Sequence, residues 1–473
     1  MKTTLFLSLS AVYFVVSAAG ISHALETRKD FSPKPDEQQL PTAMHSAMKE
    51  LPKITVGRDP ARRESKDNAH IIGNDNRALQ GAVDYIAGLG GGTVEISEGE
   101  YVMYDSLHLR NNVTVMGRKG KTVLRKANGA VSPLALDGDF GEQQITLEDP
   151  TGFEVGYGVA IWDDGSGGFH TTVARITGRG TPQGGNPNDN TFSIDKPLMA
   201  DCMVSNKAKA GTVFPVVSGY HIEGTRVENL IIDGNKDSNV HLNGCRGAGI
   251  FLYRAFGTVI KDCVVRNYNG DGISFQQSND VTVVDCTCED NTYLGIHPGS
   301  GSQRPRIRNC VARGNGTDGL FLCWRVRHGL FEDNILEGNG RFGISIGHKD
   351  SDNLFRRNIV RLNSQDGIFF RNETLGMAAH RNHLEENIIE NNGTGEEAAG
   401  ICIRGQTNNL VFKNNIIRDT RPDESQRQTV GISIEEQVGQ VILEGNQIKA
   451  KTAIDDRRAP PVEDGTGRVP KSK

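Results

Sequence analysis

Histidine, carboxylate and cationic side chains recur about every 24 residues in the middle of this 473-residue chain. They fall in four short segments: His297; Trp324, Arg325, Arg327 and His328; His348, Lys349, Asp350 and Asp352; and Arg371 and Glu373. Histidine titrates near neutral pH and arginine binds carboxylates through a bidentate fork, so these residue types can move protons and hold anions. Between His297 and His383 there are thirteen Lys and Arg against eight Asp and Glu, although the whole chain carries a net charge of −5. This local excess of positive charge favours an anionic ligand.

One chemistry that fits these residues is β-elimination from a uronate sugar. A base abstracts the proton α to the carboxylate, and cations neutralise the negative charge that develops. His297 or His348 is the predicted base. Lys349, Arg325 and Arg371 are the predicted carboxylate-binding cations.

A second chemistry is hydrolysis of a glycosidic bond by two carboxylates. Asp350 and Glu373, or Asp352, would then serve as acid and base. Their separation would decide the stereochemistry, at about 5 Å for a retaining enzyme and about 6.5–9.5 Å for an inverting one. Under either chemistry we expect further side chains to bind the substrate, namely Gln276, Trp324, Arg325, Arg327, His328, Asp352 and Arg404.

A repeated phrase, Gly–Ile/Leu–any residue–apolar, sets the elements that would position these side chains. Eight copies begin at Gly249, Gly272, Gly295, Gly319, Gly343, Gly367, Gly400 and Gly431, with spacings of 23, 23, 24, 24, 24, 33 and 31 residues. Self-similarity at such a period indicates a solenoid. The repeat is too short for two helices and its apolar residues alternate, which predicts an all-β parallel β-helix with three strands per coil.

Numbered from the phrase glycine, positions +1 and +3 are apolar and must face the interior, so positions +2 and +4 are expected to face solvent. His297 then occupies position +2 of its coil, and Gln276, Arg371 and Arg404 occupy position +4 of theirs. Stacked coils would bring the four charged segments within roughly 15–20 Å along one face. Asp271, Asp318 and Asp366 each precede a phrase glycine, and their recurrence favours a structural role in turns.

A second repeated position holds cysteine in three coils and asparagine in the next five. These residues are Cys263, Cys286, Cys310, Asn334, Asn358, Asn387, Asn415 and Asn446. Stacked asparagines can hydrogen-bond from coil to coil, so we interpret this ladder as structural. Neighbouring coils lie about 4.8 Å apart, slightly too far for relaxed disulfides, which predicts buried free thiols. No zinc-type Cys/His spacing is present. We therefore predict no metal and no cofactor, although Asp350, Asp352 and Glu373 leave room for a divalent cation such as Ca²⁺.

The rest of the chain divides into segments of different composition. We predict a signal peptide over 1–24, a polar leader over 25–68, an N-terminal cap with the first coils over 69–135, a small antiparallel β insertion over 136–218, the main β-helix over 219–452, and a disordered tail over 453–473. Asp75 is the expected N-cap of a helix that covers the first coil. The insertion would either wall one side of a cleft or decorate the solenoid. The predicted location is secreted or periplasmic, with no membrane association after signal cleavage and no nucleic-acid partner.

The opening coil resembles that of the pectin-lyase-like superfamily. The residues that carry the resemblance are Ala78-Leu79-Gln80, Gly91-Gly92-Thr93-Val94, Gly99-Glu100-Tyr101 and Asn112-Val113-Thr114-Val115-Met116-Gly117. The resemblance covers about 75–125 and resumes over about 220–450, and it implies a right-handed parallel β-helix. That superfamily includes polysaccharide lyases, glycoside hydrolases, epimerases and non-enzymatic tailspike-like proteins, so the resemblance does not choose the reaction. The Asp-Pro-His-Asp pattern of C5-epimerases and a strand pair of polygalacturonase aspartates are both absent.

The sequence therefore predicts an exported enzyme that cleaves an acidic polysaccharide in a groove along the β-helix. β-Elimination is the leading hypothesis. The alternatives are hydrolysis by a carboxylate pair and a non-catalytic glycan-binding or surface solenoid. The sugar, its linkage and the oligomeric state are left open.

Overall fold

The computed structural model describes residues 51–57, 69–165, 168–181 and 190–459. The predicted signal peptide, most of the predicted leader and residues 460–473 of the predicted tail lie outside this range. No described helix is long and apolar enough to cross a membrane.

Three parallel sheets run the length of the molecule and confirm the predicted parallel β-helix. Sheet A has 13 strands, in spatial order Ile71–Ile72, Lys53–Gly57, Gly92–Ile96, Val113–Met116, Arg226–Glu228, Val259–Lys261, Thr282–Val284, Arg306–Arg308, Leu330–Glu332, Leu354–Arg356, His383–Glu385, Leu410–Lys413 and Val441–Glu444. Sheet B has 11 strands, Gly99–Met103, Thr122–Lys126, Ile231–Asp233, Val264–Arg266, Thr287–Glu289, Val311–Arg313, Ile335–Glu337, Ile359–Arg361, Ile388–Glu390, Ile416–Arg418 and Gln447–Lys449. Sheet C also has 11 strands, Leu107–His108, Val217–Tyr220, Ala248–Tyr253, Asp271–Gln276, Ile296–Gly299, Leu320–Phe321, Ile344–Ile346, Ile368–Phe370, Ala398–Ile403, Gln428–Ile434 and Thr452–Asp456.

The sequence pattern predicted which side chains fill the interior. Ile250, Leu252, Ile273 and Phe275 occupy positions +1 and +3 of two successive phrases, and all are buried in the core enclosed by the three sheets. Each coil pairs with the next in register, as in Ile250 with Ile273. The phrase residues therefore form sheet C, and its outer face carries the +2 and +4 side chains.

The α-helix Asn76–Gly88, the one α-helix among the described residues, packs against the first strands of sheet A. Asp75 accepts hydrogen bonds from the amides of Arg77 and Ala78, which confirms the predicted N-cap. Leu79, Val83 and Ile86 are buried on the inner face of the helix.

An antiparallel sheet of six strands occupies the predicted insertion. Its strands, in spatial order, are Val131–Pro133, Lys209–Gly211, Gly158–Trp162, Thr172–Arg179, Thr191–Ile194 and Gln144–Thr146. It has its own buried cluster, which includes Val159, Ile176 and Phe192. The short 3₁₀ helices of the described chain are Gly168–His170, Val204–Asn206, Lys236–Ser238 and Asp423–Ser425.

Three of the predicted boundaries are wrong. Lys53–Gly57 lies in the predicted leader but pairs with Gly92–Ile96 in sheet A. Thr452–Asp456 lies in the predicted tail but pairs with the strand Gln428–Ile434 in sheet C. The insertion was predicted over 136–218, but its sheet begins at Val131 and its last strand ends at Gly211. Each error has the same cause, because the strand involved is short and lies outside the regular repeat, so no periodicity marks it.

The polar ladder is confirmed as a structural feature. The Asn358 Oδ1 accepts hydrogen bonds from the Asn334 amide at 3.1 Å and from its Nδ2 at 2.9 Å, and the Asn358 Nδ2 donates to Asn387 Oδ1 at 2.9 Å. The Cys310 amide donates to Asn334, which joins the thiol part of the ladder to the asparagine part. The thiols of Cys263, Cys286 and Cys310 are buried and free, as predicted.

We expect Asn358→Ala to lower the free energy of unfolding by about 3 kcal/mol, because it strands buried donors on Asn334 and a buried acceptor on Phe331. Urea denaturation would measure the effect. Asn128→Ala is the control, since Asn128 is exposed and accepts one bond from Asn235, and it should change stability by less than about 0.5 kcal/mol. Equal effects of the two substitutions would contradict the structural role of the ladder.

Candidate functional site

The outer face of sheet C carries one ladder of side chains from coil to coil. It runs in register through His108, Ser218, Phe251, Ser274, His297, Phe321, Ser345 and Phe369. The expectation that these positions face solvent is wrong in the middle coils, where His297 is 3% exposed and Ser274 and Ser345 are fully buried. Groups outside the sheet cover them. The Ser274 hydroxyl donates to the Gly244 carbonyl at 2.6 Å, and Arg371 Nη1 donates to the Ser345 hydroxyl at 2.9 Å.

His297 forms a buried pair with Asp271. Its Nδ1 lies 2.7 Å from Asp271 Oδ2, and the other carboxylate oxygen accepts from the Leu294 amide at 3.2 Å. When the ring is neutral and Nδ1 donates its proton to Asp271, Nε2 presents its lone pair. Nε2 is buried without a hydrogen-bond partner. Burial acts to lower the pKa of His297, but the hydrogen bond and charge of Asp271 outweigh it, and the pKa lies above its ordinary value.

Arg371 reaches back over two coils toward His297. Its Nη2 donates to the Leu322 carbonyl at 2.7 Å and to Asp350 Oδ2 at 3.2 Å. Its guanidinium carbon lies 4.5 Å from the centroid of the Phe321 ring, and the His297 ring meets the same phenyl edge-on at 5.3 Å. The Arg371 Nε is buried and has no hydrogen-bond partner. The two predicted residues His297 and Arg371 therefore flank one phenyl ring.

Asp350 anchors Arg371 and is fully buried. Its Oδ1 accepts from the Val326 amide at 2.9 Å and its Oδ2 from the Gly347 amide at 3.2 Å. Burial raises the pKa of Asp350 to about 7, against the opposing charge of Arg371 and the amide donors. The predicted pairing of Asp350 with Glu373 as hydrolytic acid and base does not fit this geometry, because every polar atom of Asp350 is turned toward the protein.

His348, Trp324 and Glu373 form a second cluster beside Arg371. His348 Nε2 lies 2.8 Å from Glu373 Oε1, and the His348 ring stacks on Trp324 with centroids 5.1 Å apart. Burial and then the charge of Arg371 lower the pKa of His348, and Glu373 opposes them only in part. His348 is therefore neutral at pH 7. Trp324 is 36% exposed, which leaves part of its indole surface open to solvent.

The turns that hold this cluster are strained. Trp324 and Arg325 have φ of 65° and 67°, and His348 and Lys349 have φ of 47° and 66°. Among the described residues these are the two places where consecutive residues other than glycine are left-handed. A left-handed residue with a side chain costs about 1–2 kcal/mol. Strain of this kind is concentrated at functional sites, so it marks these turns as candidates independently of their charge.

The remaining predicted residues divide between this face and the turns that leave it. Gln276 is buried and donates from Nε2 to Ser274 at 2.9 Å. Arg404 pairs with Glu435 at 2.5 Å, two coils beyond Ser345 along the same face. Arg325 lies over the Trp324 ring at 5.8 Å. No ion pair involves the Lys349 side chain within the described part of the chain.

Three predicted substrate-binding residues lie beyond the end of sheet C. Asp352 forms a two-pronged ion pair with Arg381, with contacts of 2.6 and 2.9 Å. The backbone of Arg327 forms isolated parallel β-bridges with the coils on either side, in the turn toward sheet A. His328 lines a groove on sheet A. The three carboxylates that left room for a divalent cation do not share one partner. Asp350, Asp352 and Glu373 each have a separate cationic or imidazole partner.

Two residues at the site were not predicted from the sequence. Asp271 was assigned a structural role in a turn, and its Oδ1 does accept a hydrogen bond from a backbone amide there. The equivalent oxygens of Asp318 and Asp366 accept from the amides of Phe342 and Ala399. The second oxygen of Asp271 holds His297. The other residue is Cys245, which lies near His297. The hydrogen bond with Cys323, and then the charge of His297, lower the pKa of the Cys245 thiol to about 7 although burial opposes them. The pair of Asp271 and His297 could have been predicted from one sequence feature. A histidine occurs two residues after a phrase glycine, one coil beyond an aspartate that precedes a phrase glycine.

A second His–Asp pair lies on the same face, four coils before His297. His108 Nε2 is 2.9 Å from Asp105, and its Nδ1 is 3.1 Å from the Ser218 hydroxyl. Both ring nitrogens of His108 thus have partners. His297 differs because its outer nitrogen has none.

Comparison with known proteins identifies the fold. The A-module of mannuronan C-5 epimerase AlgE4 from Azotobacter vinelandii matches with a TM-score of 0.55 and 15% identity, covering 86% of this chain and 98% of the module. A polygalacturonase from Erwinia carotovora matches with a TM-score of 0.53 and 12% identity, covering 87% and 97%. This chain has the pectin-lyase-like right-handed parallel β-helix fold. The A-module of the Azotobacter vinelandii epimerase AlgE6 shares it, with a TM-score of 0.50 and 16% identity over 82% of this chain and 95% of that one.

Residues 227–426 of this pectin-lyase-like β-helix match the model of a family described as periplasmic copper-binding protein (NosD). No curated protein sequence matches the chain. A copper centre does not fit the described residues, because no three His, Cys, Asp or Glu side chains among them are grouped to hold a metal ion.

Proposed function

We propose that this β-helix is an enzyme that acts on an acidic polysaccharide by removing the proton α to a uronate carboxylate. His297 is the base and Arg371 is the cation that stabilises the resulting anion. The observation that carries the proposal is the buried, unpartnered Nε2 of His297, oriented by the Asp271 contact on the opposite nitrogen. A base positioned by a carboxylate and left with one free lone pair suits proton abstraction.

Arg371 supports the second half of this chemistry. Its guanidinium is fixed by Asp350, Ser345 and the Leu322 carbonyl, so it needs no reorganisation when negative charge develops nearby. Its unpartnered Nε remains available to an anionic group. In a site shielded from water this interaction is stronger than it would be in solution.

The local charge and the proteins that share the fold support the choice of sugar class. The proteins with the same fold include two mannuronan C-5 epimerases and a polygalacturonase. β-Elimination and C5 epimerisation share the same first step, loss of the proton beside the carboxylate. Expulsion of the 4-oxygen from that anion gives a lyase, and return of a proton to the opposite face gives an epimerase. We retain the lyase as the leading form.

Substrate access requires movement of the segment that covers the pair. Gly244 packs against Asp271 and accepts from Ser274, and Cys245 lies near His297. Arg246 in turn bonds the Phe169 carbonyl of the insertion at 2.5 Å. We propose that residues 244–246 shift when a glycan enters, with Trp324 offering a surface on which a sugar ring stacks.

Location is part of the same proposal. The apolar run that begins at Leu5 predicts export, and the matched family is described as periplasmic. An acidic polysaccharide is the expected partner in that compartment.

The experiment is a screen of uronate polymers for ultraviolet absorbance from the unsaturated product and for new reducing ends. Absorbance together with new ends supports the lyase. New ends without absorbance would assign hydrolysis and overturn the proposal. Affinity without any change in the glycan would identify a binding protein instead.

The pH profile is expected to follow His297. Because the base acts when deprotonated and its pKa is raised, kcat/KM should increase with pH through a titration above about 6.5. Asp271→Asn removes the charge that raises the pKa of His297, while the burial that lowers this pKa remains. The titration seen in kcat/KM should therefore move below about pH 6.5, and kcat should fall. Initial rates between pH 5 and 9 would test this. An unmoved titration in Asp271→Asn would exclude His297 as the titrating base.

A further inference from the structure

A groove of about 800 Å³ lies on the outer face of sheet A, away from the sheet C site. Its lining includes Lys261, Arg304, Arg306, Arg308, His328 and Leu330. Arg306 and Arg308 come from one strand and point outward on the same side of it, about 6.6 Å apart. The groove spans several coils, since its lining strands pair from Arg226–Glu228 through Leu330–Glu332.

Arg306 and Arg308 break the charge pattern of the molecule. Every other Lys or Arg in a described strand of sheet A has a carboxylate partner within 4.0 Å: Lys53 with Glu95, Arg226 with Glu228, Lys261 with Asp262, Arg356 with Glu332 and Lys413 with Glu444. Arg306 and Arg308 have none among the described residues. Their strand neighbours at the same register are Thr282 and Val284 on one side and Leu330 and Glu332 on the other.

The nearby acids form no ion pair with Arg306 or Arg308 in the described chain. Glu332 is held by Arg356 at 2.7 Å and by Arg357 at 2.9 Å. Asp333 also pairs with Arg357, at 2.8 Å. Asp285 lines the groove but forms no ion pair with either Arg306 or Arg308. Two guanidinium groups therefore stand exposed above the methyl groups of Val284 and Leu330.

This chemistry favours carboxylates carried on a linear sugar chain. A guanidinium binds a carboxylate through two parallel hydrogen bonds, and the apolar floor suits the faces of sugar rings. No Phe, Tyr or Trp lines the groove, so it lacks the stacking platforms of a single-stranded nucleic-acid site. Two free arginines with acids at the rim also fall short of the four to eight cations expected of an anionic-lipid surface.

We propose that the sheet A groove is a non-catalytic binding site for a uronate-containing polysaccharide, with Arg306 and Arg308 as its carboxylate-binding residues. It lies on a different sheet from His297 and does not depend on the chemistry proposed there. Its effect is to hold the polymer on the outer face of sheet A.

Calorimetric titration with a polyuronate tests the site. We compare the wild type with Arg306→Gln/Arg308→Gln and with Arg313→Gln/Arg361→Gln. The second pair is the control, because it removes the same charge from paired arginines on sheet B. We expect the first variant to lose one class of sites, or at least tenfold in affinity, and the control to stay within about twofold of the wild type.

Wild-type affinity in Arg306→Gln/Arg308→Gln would overturn the proposal. So would equal or tighter binding of single-stranded DNA or of vesicles containing phosphatidylserine at the same residues. His297→Ala should bind the polyuronate in the groove as the wild type does, so loss of turnover alone leaves this test intact.

Discussion

Replacement of His297 by alanine is expected to lower turnover of an acidic polysaccharide about 10²–10⁴-fold, the usual contribution of a positioned general base. The reason is local. The outer nitrogen of His297 is buried without a partner in the described chain, as is Nδ1 of His348 in the turn beyond the strand, but of the two only His297 lies in the sheet C ladder and is paired with an aspartate. Initial rates at saturating glycan would measure the loss, and binding affinity should change little.

His108→Ala is the matched control for His297→Ala. His108 lies on the same ladder and also pairs with an aspartate, but its second nitrogen is occupied by Ser218. We expect its turnover to remain within about threefold of the wild type. Circular dichroism and thermal melting of both variants would show that the coils remain intact. A His297→Ala enzyme with wild-type turnover would remove His297 from the mechanism.

Replacement of Arg371 by alanine is expected to abolish turnover and also to destabilise the fold by about 3–5 kcal/mol. Asp350 is fully buried, and Arg371, which is 14% exposed, is its charged partner at 3.2 Å. Without it the carboxylate would remain in the interior with only the amides of Val326 and Gly347 as donors. Chemical denaturation at pH 8 would measure the loss.

The destabilisation by Arg371→Ala should depend on pH. Burial already raises the pKa of Asp350 to about 7, above its unfolded value of about 3.9, and loss of Arg371 would raise it further. When folding raises the pKa of a group, the protein loses stability as the pH rises from the unfolded-state pKa toward the folded-state pKa. In that range the native state holds a proton that the unfolded state does not. The defect should therefore be smaller at pH 5 than at pH 8. Arg371→Lys keeps the charge and should be less destabilised. Equal stability of Arg371→Ala and wild type at pH 8 would contradict the role of this pair.

Much of the fold could be predicted because the repeat imposes one register on many coils. Gly249, Gly272 and the later phrase glycines set the sheet C strands, and the alternation around Ile250 and Leu252 set which side faces inward. The ladder of Asn334 and Asn358 was predictable for the same reason, since an identical side chain recurs at one position.

The site was predicted less completely, because it depends on what lies outside the repeat. Register alone brought His297 and Arg371 to one face, but it could not show that Asp350 folds inward to hold Arg371. Asp271 was grouped with Asp318 and Asp366 because its position recurs, although its second oxygen has a different partner. Residues 244–246 lie outside the repeated phrase, so the sequence could not predict that they cover Ser274.

The most direct test of the central claim is deuterium incorporation at C5 of a uronate polymer incubated with the enzyme in D₂O, followed by NMR. If His297 removes the C5 proton, products of the wild type will lose the C5–H signal, through an unsaturated end or through a deuterated C5. His297→Ala should leave that signal unchanged, and His108→Ala should behave as the wild type. Cleaved glycan that retains every C5–H signal would contradict proton abstraction and assign the bond-breaking step to hydrolysis.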